Sequence, residues 1–74
     1  MSSYTLVFTR PSGAQTSKTL DFANDAMAIW STKSLLSREV ISIAIGRILP
    51  PDTIEWLGVY DWDGGQPEWT PENA

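Results

Sequence analysis

The sequence of 74 residues contains no cysteine and no histidine. Without cysteine, the fold has neither a disulfide bond nor a thiolate metal site. Without histidine, the chain lacks the commonest general base and the commonest metal ligand. The usual activated serine or threonine nucleophile needs such a base. We therefore predict a protein that is not an enzyme and that holds no metal and no cofactor.

Basic residues are also scarce: five Lys and Arg stand against nine Asp and Glu, which gives a net charge of −4. The five cations are scattered singly along the chain and cannot form a dense cationic groove for phosphates, so we expect no direct contact with nucleic acid. No apolar run is long enough to cross a membrane, and the N-terminus has no signal-peptide pattern. We expect a cytoplasmic protein that does not bind membranes.

The chain is short, which limits the size of its core. Seventy-four residues form one domain, and a domain of this size buries only about 60% of the surface of its unfolded chain. Four tryptophans among eight aromatic residues supply much of the packing. Association with another chain is a further route to stability, so a homodimer remains an alternative.

The sequence is organised around residues 40–49. Ile41, Ile43 and Ile45 recur with a period of two, and the residues between them are small. In a strand, this alternation places the isoleucines on one face and the small residues on the other. In a helix, the isoleucines would spread around the cylinder. We interpret 40–49 as a central β-strand.

Three further segments alternate between apolar and polar residues, which predicts strands at about 4–9, 18–22 and 54–62. In the last of these, the even-numbered residues carry no charge, so we expect them to face the core: Ile54, Trp56, Gly58, Tyr60 and Trp62. Between the second and third strands, apolar spacings of three and four residues predict a helix. Its inner stripe is expected to be Ala26, Ile29, Trp30, Lys33 and Leu36.

The predicted fold is α+β in the order β-β-α-β-β, with a four-stranded, mainly antiparallel sheet and one helix on one face. We expect one domain over residues 1–65. Residues 66–74 lack periodicity and contain Pro67 and Pro71, which predicts a flexible acidic C-terminal tail. The expected core is Leu6, Phe8, Leu20, Phe22, Ile29, Trp30, Leu36, Ile41, Ile43, Ile45, Trp56 and Tyr60.

Six of the nine acidic residues lie from Asp52 onward, where no Lys or Arg occurs. Such clustering has two explanations. It keeps a small protein soluble, or it forms an acidic surface that docks on a basic surface of a partner. Trp62 and Trp69 lie among these carboxylates, where they either anchor an interface or fold back over the core. The segment Asp61–Gly65 is similar to the start of a calcium loop but lacks the pattern that completes one. The candidate partner-binding residues are Asp52, Glu55, Asp61, Trp62, Asp63, Glu68 and Trp69.

One helix covers only one face of a sheet, so the other face is a second candidate surface. The alternation places Val40, Ala44, Leu57 and Val59 on that face, together with Glu55. Scattered apolar residues are normal on a solvated face. A contiguous patch would instead mark a surface for a partner or for a dimer.

In its length, acidity, lack of histidine and cysteine, and α+β character, the chain resembles small phage-encoded proteins that inhibit host machinery, anti-CRISPR proteins above all. The resemblance implies a non-enzymatic module in the host cytoplasm that presents acidic residues to a basic, nucleic-acid-handling surface of a host protein complex. It transfers no residue roles. The alternative is a small structural or assembly protein that homodimerises or packs through its open sheet face.

Overall fold

The computed structural model describes residues 2–63 and 65–72 and shows an α+β fold with one helix and an antiparallel sheet. The sheet has five strands rather than the predicted four, in the spatial order β2-β1-β3-β4-β5. The elements are β1 (Ser2–Thr9), β2 (Gln15–Phe22), α1 (Asp25–Lys33), β3 (Ser42–Leu49), β4 (Thr53–Asp63) and β5 (Gln66–Pro71).

The additional strand is β5, in the segment that we predicted to be an irregular tail. Residues 66–71 pair with 58–63 of β4, and the Glu72 amide donates to the Leu57 carbonyl over 3.0 Å. Pro67 and Pro71 obscured the strand pattern, yet an edge strand tolerates proline because its outward side needs no N–H donor. The domain therefore extends past residue 65, and residues 73–74 of the predicted tail lie outside the described part of the chain.

The helix begins at a local cap: the side chain of Asn24 accepts a hydrogen bond of 2.9 Å from the Met27 amide. Its buried residues are Ala28 and Thr32, and the Thr32 hydroxyl donates to the Ala28 carbonyl over 2.7 Å. Small side chains at these positions let the helix approach the sheet closely. The fully buried positions of α1 are therefore occupied by small residues, and Ile29 packs beside them as a partly buried residue.

The predicted inner stripe of the helix was wrong at Trp30, which is 69% exposed. The helix is rotated so that Ala28 and Thr32 are buried instead, and Lys33 Nζ lies 5.6 Å from the centroid of the Trp30 ring. An indole on the inner side would hold the helix away from the sheet and leave voids. Trp30 is a surface residue and anchors nothing in the core.

The core lies between α1 and one face of the sheet. Of the expected core residues, Leu6, Leu36, Ile43, Ile45 and Tyr60 are buried, and Phe8, Leu20, Phe22 and Ile29 are partly buried against them. Tyr4, Ala28 and Thr32 are fully buried and were not expected. Ile41 and Trp56 are 39% and 41% exposed, so their assignment to the core was wrong.

A β-bulge in β4 explains why Trp56 is outside. Ile45 pairs with Gly58 and Gly46 pairs with Trp56, so Leu57 is an additional residue on β4. Successive side chains of a strand point to opposite faces of the sheet, so an extra residue exchanges the two faces for all positions on one side of the bulge. The helix face, which carries Tyr4, Leu6, Ile43 and Ile45, therefore receives Gly58 and Tyr60. The opposite side, the open face, receives Ile54 and Trp56.

Three further positions that the alternation assigns to the open face lie elsewhere in the structure. Leu57 packs against the core as a partly buried residue. Glu55 pairs with Arg47 across the strands and therefore lies on the helix face, where the two side chains form an ion pair. Val40, a third such position, is partly buried against the core.

Gly58, the residue after Leu57 in the bulge, has no room for a side chain. Its φ is +156°, and a Cβ there would overlap the Thr70 carbonyl oxygen and approach the Trp69 ring to 2.7 Å. The backbone oxygen belongs to the neighbouring strand and cannot move aside without breaking the β4–β5 pairing. Glycine at this position is therefore required for the attachment of β5.

We predict that Gly58→Ala lowers the free energy of unfolding by about 2–4 kcal/mol, because backbone strain and overpacking add at this site. Gly13→Ala is the matched control: its φ is +92°, but a Cβ there meets nothing within 4 Å. The control should cost about 1 kcal/mol. Urea denaturation of both variants measures the difference. Equal losses would show that the close approach of Trp69 and Thr70 to Gly58 is absent in solution.

Candidate protein-binding surface

The seven candidate partner-binding residues do not form one patch. Asp52 lies in the turn before β4, whereas Asp61 lies near the other end of that strand. Nine residues of extended chain separate them by about 30 Å. Asp61 and Glu68 face each other across β4 and β5. Asp63 ends β4, and its side chain lies outside the described part of the structure.

Glu55 belongs to a cluster of polar side chains on the helix face that bind one another within the chain. Arg47 Nη2 contacts Glu55 Oε1 at 2.7 Å, and Arg47 Nη1 contacts Asp25 Oδ2 at 3.2 Å. The Tyr4 hydroxyl donates to Asp25 Oδ1 over 2.6 Å. These bonds tie the first turn of α1 to β1, β3 and β4. Glu55 therefore has a structural partner within the chain, which weakens its candidacy as a docking residue.

Burial raises the pKa of Tyr4 above its usual value, and the hydrogen bond to Asp25 and the charge of that carboxylate raise it further. Burial also raises the pKa of Tyr60. Both phenols are therefore held neutral in the folded protein at pH values where a free tyrosine ionises. We therefore expect the folded state to lose stability at high pH.

The two acidic-end tryptophans differ in their surroundings. Trp69 is partly buried against the core, and its ring lies 5.0 Å from the Tyr60 ring, tilted by 52°. The Trp62 indole N–H donates to the Ser37 carbonyl over 3.2 Å, while 39% of the residue stays exposed. Trp69 therefore covers the core, as one of our two readings expected, and Trp62 fixes the connection between α1 and β3.

The open face is a broad surface of small and β-branched side chains. Each strand contributes every second residue, and the pairing aligns these residues in rows across the sheet. One row is Val7, Ala44, Val59 and Thr70, and the next is Thr19, Thr5, Gly46 and Trp56. The helix packs on the opposite face of the sheet through Ala28 and Thr32.

Trp56 is the largest side chain on the open face, and sequence reasoning missed it as a surface residue. A Cβ on Gly46 would meet Ile54 Cγ2 at 2.5 Å and the Trp56 ring at 3.0 Å, so both side chains lie over this glycine. Ile54 and Trp56 nevertheless remain 43% and 41% exposed. They form an apolar prominence, the Trp56 prominence, on an otherwise flat surface. In the sequence, the indication of this arrangement was Gly46, because a glycine in the middle of a central strand marks a place where a neighbouring group approaches closely.

The charges of the open face are of one sign. Its strand positions carry Asp21, Asp61 and Glu68. The chain's cations lie elsewhere: Lys18 and Arg47 are on the helix face, Lys33 is in α1, and Arg10 and Arg38 are in connections between elements. Asp61 and Glu68 are direct cross-strand neighbours, which places two carboxylates at this margin of the face.

A concave surface lies beside the helix. It is a groove of about 520 Å³ lined by Trp30, Ser31, Lys33, Ser34 and Pro67. The lining mixes one exposed indole with hydroxyls and one cation, and it lies on the opposite side of the sheet from the Trp56 prominence. Trp30 and Trp56 therefore belong to separate surfaces, which allows each to serve as a control for the other.

Comparisons with protein-family models, with curated proteins and with solved structures found no match to this chain. Within residues 2–63 and 65–72, no group of three carboxylate, histidine or cysteine side chains is arranged to hold a metal ion. The helix is too short to cross a membrane, and the described residues contain no other helix.

We predict that the protein loses stability as the pH rises above about 10, the usual tyrosine pKa. The sign follows from the raised pKa of Tyr4 and Tyr60 in the folded state. Below pH 10 both states bind the phenol proton, and above it the unfolded state releases the proton first, which favours unfolding. Chemical denaturation of the native chain and of Tyr4→Phe, Tyr60→Phe and the double variant measures this. The double variant has no tyrosine. If its free energy of unfolding fell as steeply with rising pH as that of the native chain, the two tyrosines would not be the cause of the loss.

Proposed function

We propose that this protein is a non-enzymatic binding module that docks through its open face on a basic, nucleic-acid-handling surface of a protein partner. The observation that carries the proposal is the Trp56 prominence on a sheet face whose strand charges are all negative. Occupation of such a surface would exclude the nucleic acid that normally binds there. The activity that follows is inhibition by occlusion, as in the phage-encoded inhibitors that the sequence resembles.

The apolar part of the open face supports a specific contact. Exposed tryptophans are enriched among the residues that dominate binding energy, particularly where neighbouring contacts exclude water from them. Trp56 is 41% exposed and is held over Gly46 beside Ile54. A side chain fixed in this way loses little rotamer entropy on binding. We infer that Trp56 is the apolar anchor of the interface.

The charged part of the open face selects the partner. Asp61 and Glu68 lie side by side at one margin of the face, and Asp21 lies on β2 at the opposite edge of the sheet. A basic partner would be attracted to these carboxylates and would be steered toward the face during diffusion. A second copy of the same face would add repulsion. The charges therefore favour a basic heterologous partner over self-association through this face.

This proposal revises the candidate residues. Asp61 and Glu68 remain, and Trp56 replaces Trp62 and Trp69 as the expected anchor. Glu55 is engaged with Arg47, and Asp52 is about 30 Å from Asp61 along the strand. We therefore expect neither Asp52 nor Glu55 to contribute to the same interface.

We predict that Trp56→Ala weakens binding to the partner by about 10- to 100-fold, the usual range for loss of an aromatic anchor. Asp61→Asn should slow association and reduce its dependence on salt, because the charge acts mainly during encounter. The immobilised chain and its variants are compared as bait in lysates of candidate host cells, followed by binding kinetics with each purified protein that is retained.

Trp30→Ala is the matched control for this experiment. It removes an equally large and more exposed indole from the helix side, so it should leave both binding and melting temperature nearly unchanged. The supporting result is a basic protein that Trp30→Ala retains and Trp56→Ala releases, and that nucleic acid displaces. A partner lost with Trp30→Ala and kept by Trp56→Ala would assign binding to the helix side and overturn the proposal.

A further inference from the structure

The two edges of the sheet differ in their ability to accept another strand. The edge strands are β2 and β5. In β5, two of six residues are prolines, Pro67 and Pro71, and a proline has no N–H to donate to an added strand. In β2, eight residues run from Gln15 to Phe22 without a proline, and six of them are exposed. The edge formed by β2 is therefore the one that is open to further pairing.

The backbone hydrogen bonds of the β1–β2 hairpin fix which groups of β2 point outward. The Arg10 amide donates to the Ala14 carbonyl over 2.9 Å, and the Thr9 carbonyl accepts from the Ile41 amide on the opposite side of β1. Along an antiparallel ladder, hydrogen-bonded pairs of residues alternate with pairs that are not hydrogen-bonded to each other. The residues that direct their N–H and C=O groups away from β1 are therefore Gln15, Ser17, Thr19 and Asp21.

We propose that β2 pairs with β2 of a second copy of this chain, antiparallel about a two-fold axis at Thr19, to form one continuous sheet of ten strands. In an antiparallel pair around a two-fold axis perpendicular to the sheet, each residue lies opposite a residue of the same face. Both helices then lie on one side of the joined sheet, and both open faces lie on the other. This pairing is independent of the proposed function: it engages Asp21 at the β2 edge and does not involve Trp56, Asp61 or Glu68.

The side chains of β2 favour this register over one with the axis at Lys18. An axis at Lys18 would place the two Lys18 side chains directly opposite each other, and like charges in that arrangement destabilise a sheet. An axis at Thr19 instead places Thr19 opposite Thr19, a pair that packs and hydrogen-bonds well between strands. It also places Lys18 opposite Leu20, along which the aliphatic stem of the lysine can lie.

The same register gives Asp21 a second hydrogen-bond donor. The Ser3 hydroxyl already donates to Asp21 Oδ1 over 2.7 Å, which holds the carboxylate at the edge of the open face. About an axis at Thr19, Ser17 of the second copy lies opposite Asp21 and can donate to the other carboxylate oxygen. The two-fold axis forms this contact twice, so the edge is complementary to itself in charge and in hydrogen bonding.

Single cysteines test the register without interference, since the chain has none of its own. We expect Thr19→Cys to form a disulfide-linked dimer under mild oxidation, because directly opposite residues have Cα atoms about 5.5 Å apart, within disulfide range. Ser17→Cys is the matched control. The two Ser17 residues would be four positions out of register and more than about 13 Å apart, so this variant should not crosslink.

Sedimentation equilibrium of the native chain supplies the second readout. We expect a species of twice the 8.2 kDa chain mass whose population rises with concentration. Thr19→Pro should shift this equilibrium to the monomer while circular dichroism stays native, because Thr19 directs its N–H outward and proline is tolerated on an edge. A native chain that stays monomeric at the highest concentration, or crosslinking of Thr19→Cys no faster than that of Ser17→Cys, would overturn the proposal.

Discussion

The one extra residue in β4 is the constraint on which the arrangement of the molecule depends. The bulge at Leu57 lets Ile45 pair with Gly58 while Gly46 pairs with Trp56. It turns Tyr60 toward α1 and Trp56 away from it, which divides the aromatic residues of one strand between two surfaces. The Leu57 carbonyl also accepts the Glu72 amide, so the bulge contributes to the attachment of β5. The core and the open face both follow from this local irregularity.

The division into two faces also sorts the charges. Arg47, near the end of β3, joins Asp25 of α1 and Glu55 of β4 on the helix face. The cations of the strands are thereby directed to the helix side, and the open face retains Asp21, Asp61 and Glu68. A face with carboxylates, β-branched side chains and one exposed indole has the chemistry of a docking surface for a basic partner. The proposed function therefore follows from the side on which each strand residue lies.

The sequence predicted those features that depend on simple alternation. The α+β class, the strand around Ile43 and Ile45 and the burial of Leu6 and Tyr60 were predicted correctly, because period-two patterns express which face is buried. Trp56 was misplaced because alternation carries no signal for an inserted residue, although Gly58 and Gly46 marked the places where backbone or a ring approaches closely. Trp30 was misplaced because the helix packs through Ala28 and Thr32, whose small size is what the close contact requires. β5 was missed because prolines mask an edge strand.

Nuclear Overhauser contacts of the two indole rings show whether the bulge places Trp56 and Trp69 on opposite sides of the sheet. The structure predicts contacts from the Trp69 ring to the Gly58 α-protons and from the Trp56 ring to the Gly46 α-protons. Contacts from the Trp56 ring to Ala28 or Thr32 of the helix would indicate an unbulged β4 and would contradict the account.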